Sequence, residues 1–158
     1  MDRARIDATI NRYLADATTP ARAIAGLSRE DLLAFPIPGT WSIQQIIMHL
    51  MDSDLIASDR MKRTIAEKNA QILAYDETAF ATHLPYDKLD AAMACELFRL
   101  NRVMTAALLR ELPDEAFDRI GQHSERGPES LIVLIEIYVN HVGHHMKFIE
   151  EKRKLLGK

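Results

Sequence analysis

The sequence predicts an all-α protein, a four-helix bundle with long irregular connections. Apolar residues recur at intervals of three and four along four long stretches, as amphipathic helices require. Runs of β-branched residues are scarce, and six glycines and six prolines are all that punctuate 158 residues. That length suits one domain, residues 1–158, around one sizeable core. Helices that each bury one stripe pack most simply against one another.

Ile6, Ile10, Tyr13, Leu14 and Ala17 make the stripe of a first helix, closed by Thr18, Thr19 and Pro20. A helical turn fits between Pro20 and Gly26, and Ser28 can N-cap another short one. FPIPGTW, with Pro36, Pro38 and Gly39, is a loop. A second long helix starts near Ser42, and Ile43, Ile47, Leu50, Ala57, Met61 and Ile65 keep its period. KNAQILAYDETAFATHLPYDK has no clean period and reads as a long loop with a turn or two, of a length that is often functional. Asp87 or Asp90 caps a third helix, whose stripe is Leu89, Met93, Leu97, Leu100, Met104 and Leu108 and which Pro113 ends. FDRIGQHSERGPES is a second irregular segment. Ser130 opens the last helix, which runs to about Leu156. The seven methionines read as core filler.

The net charge is -3 with both signs interspersed, so the chain carries no basic footprint for nucleic acid. No run nears the roughly 20 apolar residues of a membrane span. The N-terminal MDRARIDATINRYL lacks the continuous apolar segment of a signal peptide. The one cysteine, Cys95, has no partner for an internal disulfide and reads as a small buried hydrophobe, not a nucleophile. These features predict a cytoplasmic protein with neither nucleic acid nor membrane as partner.

Three of the six histidines fall in NHVGHHMKFIEEKRK, Asn140 to Lys154. Leu134, Tyr138, His141, His145 and Phe148 share one stripe of the last helix, with His141 and His145 one turn apart. His144 lies about 60° from His141 and about 100° from His145 on the wheel, which makes it the weaker candidate. An i,i+4 pair can bring two imidazole nitrogens to one metal ion, although on surfaces the spacing arises by chance and usually binds nothing. Burial favours a ligand role, because a buried imidazole without a partner is costly. On the second helix His49 stands at the margin of the apolar stripe, beside Ile46 and Leu50. Alone it would be a hydrogen-bonded core residue; with the two helices as neighbours it supplies a third nitrogen. Three histidines leave a coordination position open, as catalytic sites do, whereas structural zinc sites are usually closed by four ligands.

Asp52 follows His49 by three positions and is a catalytic candidate that holds a metal-bound water or orients an imidazole, unless it simply faces solvent. Tyr138 can donate to a ligand or pack as a core tyrosine. Trp41 reads as a packing anchor where the second helix begins, and Glu136 points elsewhere. No carboxylate base stands clearly beside the histidines, which weighs against a protease-like hydrolase.

AGLSREDL followed by PGTWSIQQIIMHLMDSD resembles the DinB-like superfamily, in its YfiT-type metal-dependent hydrolase branch. That branch has a tryptophan, a glutamine and then His-Leu-x-Asp-Ser, matched here by Trp41, Gln45, His49, Leu50, Asp52 and Ser53. HSERG, His123 to Gly127, resembles its His-x-Glu-x-Gly loop, and YVNHVGHHMKFI resembles its tail at His141, Gly143, His144 and His145. The resemblance runs through nearly the whole chain from about residue 20. It implies a four-helix bundle with one divalent metal held by His49, His141 and His145. His123, in the loop just before the last helix, is part of that pattern and either closes over the site as general acid or base or is a surface histidine in a turn. Zinc or nickel leads among metals that accept imidazole, with iron and manganese behind. Asn140 stands where an aromatic residue is common, and Val142 precedes Gly143 where glycine often comes first, so the pocket wall departs from the branch.

The expected function is that of a metal-dependent enzyme acting on a small molecule. Hydrolysis and transfer to a low-molecular-weight thiol both fit, and the resemblance points to both. Thiol transfer asks less of the protein, since coordination activates the nucleophile. The alternatives are a non-catalytic metal- or ligand-binding module and an interaction protein whose histidines are merely packed. A homodimer is expected from the frequency of two-fold pairing.

Overall fold

The structure, a computed structural model, describes residues 2–158. In chain order it contains helices α1 (Arg3–Ala15), α2 (Thr19–Ala23), α3 (Arg29–Leu33) and α4 (Ile43–Ala66), then strand β1 (Gln71–Ile72) and helix α5 (Glu77–His83). Helix α6 (Ala91–Arg110), strands β2 (Ile120–His123) and β3 (Gly127–Ser130), and helix α7 (Leu131–Leu155) complete it. The long helices α1, α4, α6 and α7 form the bundle. Helix α4 packs on both α6 and α7, and α1 packs on the same two, so the order around the bundle is α1–α7–α4–α6. The helices that carry the candidate histidines, α4 and α7, are therefore neighbours.

Local chemistry fixes where each helix begins. Ser42 and Gln45 form a reciprocal capping box at the start of α4, and Ser28 and Asp31 form another at α3. Of the two candidates for α6, the cap is Asp90, whose carboxylate accepts from the Ala92 and Met93 N–H groups. The predicted α4 stripe is buried at Ile43, Ile47, Leu50, Ala57 and Met61. Ile6, Ile10 and Tyr13 bury the inner face of α1.

One ion pair ties the bundle together. Arg102 Nε lies 2.8 Å from Asp54 Oδ1, with both side chains buried. The same guanidinium donates to the Tyr13 carbonyl on α1 and the Tyr138 carbonyl on α7. Asn101 donates to Asp54 as well. All four long helices meet in this network.

Three expectations are corrected. The α6 residues Met93, Leu97, Leu100, Met104 and Leu108, with Leu89 just before the helix, do not face the core; they are 37–71% exposed. The buried face is Ala91, Ala94, Cys95, Phe98, Arg102, Thr105, Ala106 and Leu109. Small side chains there let α6 approach α1 and α4 closely and leave room for the Arg102 guanidinium. Two of the seven methionines, Met93 and Met104, are accordingly surface residues. Second, the segment after α4 is not a plain loop: it holds β1, α5 and a tight helical turn at Tyr86–Lys88. Asp76 caps α5 through the Ala79 N–H.

Third, FDRIGQHSERGPES folds as the hairpin β2–β3, and β1 joins β2 in parallel to make a three-stranded sheet. Strands of two to four residues carry no alternation that a sequence pattern can reveal. Gly121 seats this hairpin on α4: a Cβ there would lie 2.3 Å from Ile72 Cδ1 and 2.6 Å from Thr64 Oγ1. Gly127, with φ at +82°, supplies the left-handed turn residue of the hairpin.

Candidate metal centre

His49 comes from the first half of α4, and His141 and His145 from successive turns of α7. Their Nε2 atoms converge. His49 Nε2 is 3.1 Å from His141 Nε2, and His145 Nε2 is 3.0 Å from His141 Nε2. His49 is 2% exposed, while His141 and His145 are half-buried. Burial first, and the neighbouring His145 second, push the His49 imidazole down to about 3. Burial followed by His145 and His49 takes His141 down to about 3, and burial followed by His144 takes His145 down to about 4. All three are neutral at pH 7.

A neutral imidazole carries one N–H, so three Nε2 atoms facing one another cannot all be satisfied among themselves. A shared cation satisfies them at once. Ligand nitrogens about 2.0–2.1 Å from a tetrahedral ion lie roughly 3.3 Å apart, close to the spacing seen. The donor set, three neutral imidazoles from two helices, thus fits a divalent ion. With Nε2 turned to the centre, His49 carries its proton on Nδ1, where Tyr75 Oη stands at 3.4 Å to accept it. That contact fixes the ring as an outer partner of a ligand does. His145 Nδ1 is buried with no hydrogen-bond partner among the described residues.

The other predicted residues fall as follows. His144 is exposed and packs edge-on to Phe148, with no part in the cluster. Asp52 accepts a hydrogen bond from the Tyr86 hydroxyl, on the side of α4 that faces the Tyr86 turn. His123 is not in a surface turn but in β2, 2% exposed. Its Nδ1 accepts from the Glu125 and Arg126 N–H groups, which leaves the proton on a buried, unpartnered Nε2. Trp41 does more than anchor a helix. Its ring lies 5.0 Å from that of His49 and runs parallel to His145 at 6.4 Å, so it walls one side of the cluster.

A carboxylate does stand beside the histidines: Glu77 Oε2 is 3.8 Å from His49 Nε2. The sequence pattern does not reveal it, because the segment that holds α5 has no clean period, although Asp76 followed by ETAF has the form of a helix N-terminus. Nor does the pattern reveal Tyr75 and Arg60. Tyr75 belongs to the same aperiodic segment, and Arg60 is a charged residue within an otherwise ordinary helix.

Two cavities flank the cluster. One, of about 390 Å³, is polar and reaches His141 past Arg60, Tyr75, His123 and Tyr138. The other, of about 400 Å³, is largely apolar and reaches His145 past Ile37, Trp41, Ile46 and Phe148.

Residues 14–149 match the DinB superfamily. A protein of Oceanobacillus iheyensis, provisionally named a metal-dependent hydrolase, is 33% identical over 133 residues, covering 83% of this chain and 77% of its own. A protein of Bacillus cereus with the same provisional name is 30% identical over 136 residues, 86% of this chain and 78% of its own. Among solved structures, YfiT from Bacillus subtilis superposes with a TM-score of 0.91 at 25% identity, over 99% of this chain and 90% of that one. It is described as a four-helix bundle of unusual topology and is likewise assigned provisionally as a metal-dependent hydrolase. By the extent of these matches, the chain belongs to the DinB superfamily.

Proposed function

We propose that this protein is a metal-dependent enzyme acting on a small molecule, with one divalent ion, zinc or nickel, held by His49, His141 and His145. The observation that carries this reading is the convergence of three neutral ring nitrogens, with those of His49 and His145 at 3.1 and 3.0 Å from that of His141 and all three within 4.8 Å of one another. Such an ion, when bound, supplies Lewis acidity that lowers the pKa of a water or thiol beside it. The chain's own side chains do the rest. Tyr75 holds the His49 ring. Glu77 is exposed and close enough to the cluster to take a proton from the nucleophile. Trp41 and Phe148 exclude water on the His145 side.

Two nucleophiles fit, each with its own support. Water gives hydrolysis, for which Glu77 is the carboxylate base and to which the provisional names of the relatives point. A low-molecular-weight thiol gives S-transfer. The thiol loses its proton to Glu77, its sulfur forms a bond to an electrophilic carbon, and the leaving group departs with its electron pair. Two cavities of opposite polarity on either side of the histidines suit two reactants. The setting in this reading is the cytoplasm, in keeping with one buried cysteine that burial first, then Asp90, pushes up to about 12. The remaining element of the reading is one DinB-like unit that works as a homodimer.

Elemental analysis of the folded proteins tests the site. Wild type and His144→Ala should hold about one ion per chain, and His49→Ala, His141→Ala and His145→Ala should lose most of it. Metal-loaded protein is then given small esters, and separately thiols with alkylating electrophiles. Glu77→Gln should slow whichever reaction occurs by roughly a hundredfold. A wild type that holds no metal under any loading condition ends the enzyme reading. Metal without turnover in either panel leaves a non-catalytic binding module.

A further inference from the structure

The polar cavity beside His141 holds a cation that has no ion-pair partner among the described residues. Arg60 is 5% exposed, and its guanidinium donates to the Tyr138 hydroxyl and the Leu73 carbonyl, both neutral. Its Nε is buried with no hydrogen-bond partner among the described residues. His123 lines the same cavity, its buried Nε2–H has no partner among the described residues, and burial, then Arg126 and Arg60, holds that imidazole below its ordinary pKa and so neutral. Tyr138 Oη accepts from Arg60 and keeps its own proton to donate. A buried charge and buried donors left unmatched are costly in an empty site and are matched by an oxyanion. The carboxylates that line this cavity are committed or peripheral. Asp76 caps α5, Glu77 faces His49, and Glu125 is exposed. Arg126 is paired through two hydrogen bonds with Glu129.

We propose that this cavity is a subsite for an anionic group of the substrate, a carboxylate or phosphate, gripped by Arg60 and His123. Tyr138 precedes His141 by one helical turn, so the anionic group sits about 5 Å along α7 from the histidine cluster. The ligand is then a small molecule with its reacting group at the histidines and an acid a few bonds away. This rests on the metal-site reading, and the experiment separates the two.

Protein loaded with cobalt(II) is titrated with 3-mercaptopropionate, with its methyl ester and with longer mercapto-acids, read by the sulfur-to-cobalt absorption band. Binding of the ester tests the metal site alone. The acid should bind at least tenfold more tightly than the ester. Arg60→Met should abolish that advantage without weakening the ester, and His123→Ala should reduce it several-fold. Arg60→Lys, which keeps the charge and loses the planar fork, covers the case in which Arg60→Met does not fold. Inorganic phosphate, followed by calorimetry, should bind wild type and not Arg60→Met. Equal binding of every acid and its ester in wild type overturns the subsite, as does an acid advantage that survives in Arg60→Met. Phosphate binding without an acid advantage also overturns it, because the anion is then not part of the substrate. If no thiol binds the cobalt-loaded protein, S-transfer fails while the metal site and hydrolysis stand, and the phosphate arm alone decides the subsite: loss of phosphate binding in Arg60→Met supports it and persistence overturns it.

Discussion

At the scale of single residues, the three histidines differ from surface histidines in one measurable way. Burial holds their pKa values at about 3, 3 and 4. A depressed pKa means that the folded chain presents lone pairs, not protons, well below neutrality. Three ordinary histidines with pKa near 6.5 would each be about 90% protonated at pH 5.5, and metal affinity would drop about a thousandfold from its neutral-pH limit. Here the rings stay neutral at pH 5.5, so affinity between pH 7.5 and pH 5.5 should change by less than about threefold. Competition titration against a chelator of known pH dependence measures this, and a thousandfold drop would show the rings to be solvated. The sequence made these three residues legible because they lie on two helices whose period is unambiguous. It gave no comparable view of Glu77, Arg60 or the burial of His123. Glu77 and His123 lie on short elements whose placement depends on long-range packing, such as Gly121 seating the hairpin against Thr64 and Ile72.

At the scale of elements, α6 shows why a correct period can be assigned to the wrong face. The helix carries large apolar residues on one side and small ones on the other, and hydrophobicity alone favours the large. What decides is Arg102, which must reach Asp54, Tyr13 and Tyr138 at once and so turns the side with small neighbours inward. Replacing it tests that account. Arg102→Met strands the Asp54 carboxylate in the core and should cost about 3–5 kcal/mol in urea denaturation. The pH dependence has a fixed sign. Burial already pushes Asp54 above its ordinary range against the pull of Arg102. Without that pull, the folded state takes up a proton that the unfolded chain releases at the same pH. The variant's deficit should therefore shrink as pH falls from 7 towards 4. A deficit that grows over that range, or one below about 1 kcal/mol, would show that the pair does not organise the helix.

At the scale of the whole molecule, the bundle was legible because four long periodic helices leave few ways to pack, while the three-stranded sheet was not, being too short to imprint a pattern. The proposed metal and the Arg102 network act on different joints of this bundle. The metal would staple α4 to α7 alone, whereas Arg102 and Asp54 join α1, α4, α6 and α7. Removing the metal should therefore weaken the protein without unfolding it. An ion at a thousand times its dissociation constant contributes about 4 kcal/mol. For a chain of this size that corresponds to roughly 8–16 °C of melting temperature. Chelation should lower the midpoint by about that much, restored by zinc or nickel, while far-ultraviolet circular dichroism at 25 °C stays the same. Amide exchange gives the loss an address: it should rise in α4 around His49 and in α7 around His141 and His145, and hardly at all in α1. Exchange that rises evenly through all four helices would mean that the ion, and not the buried Arg102–Asp54 pair, sets the cooperativity of the bundle.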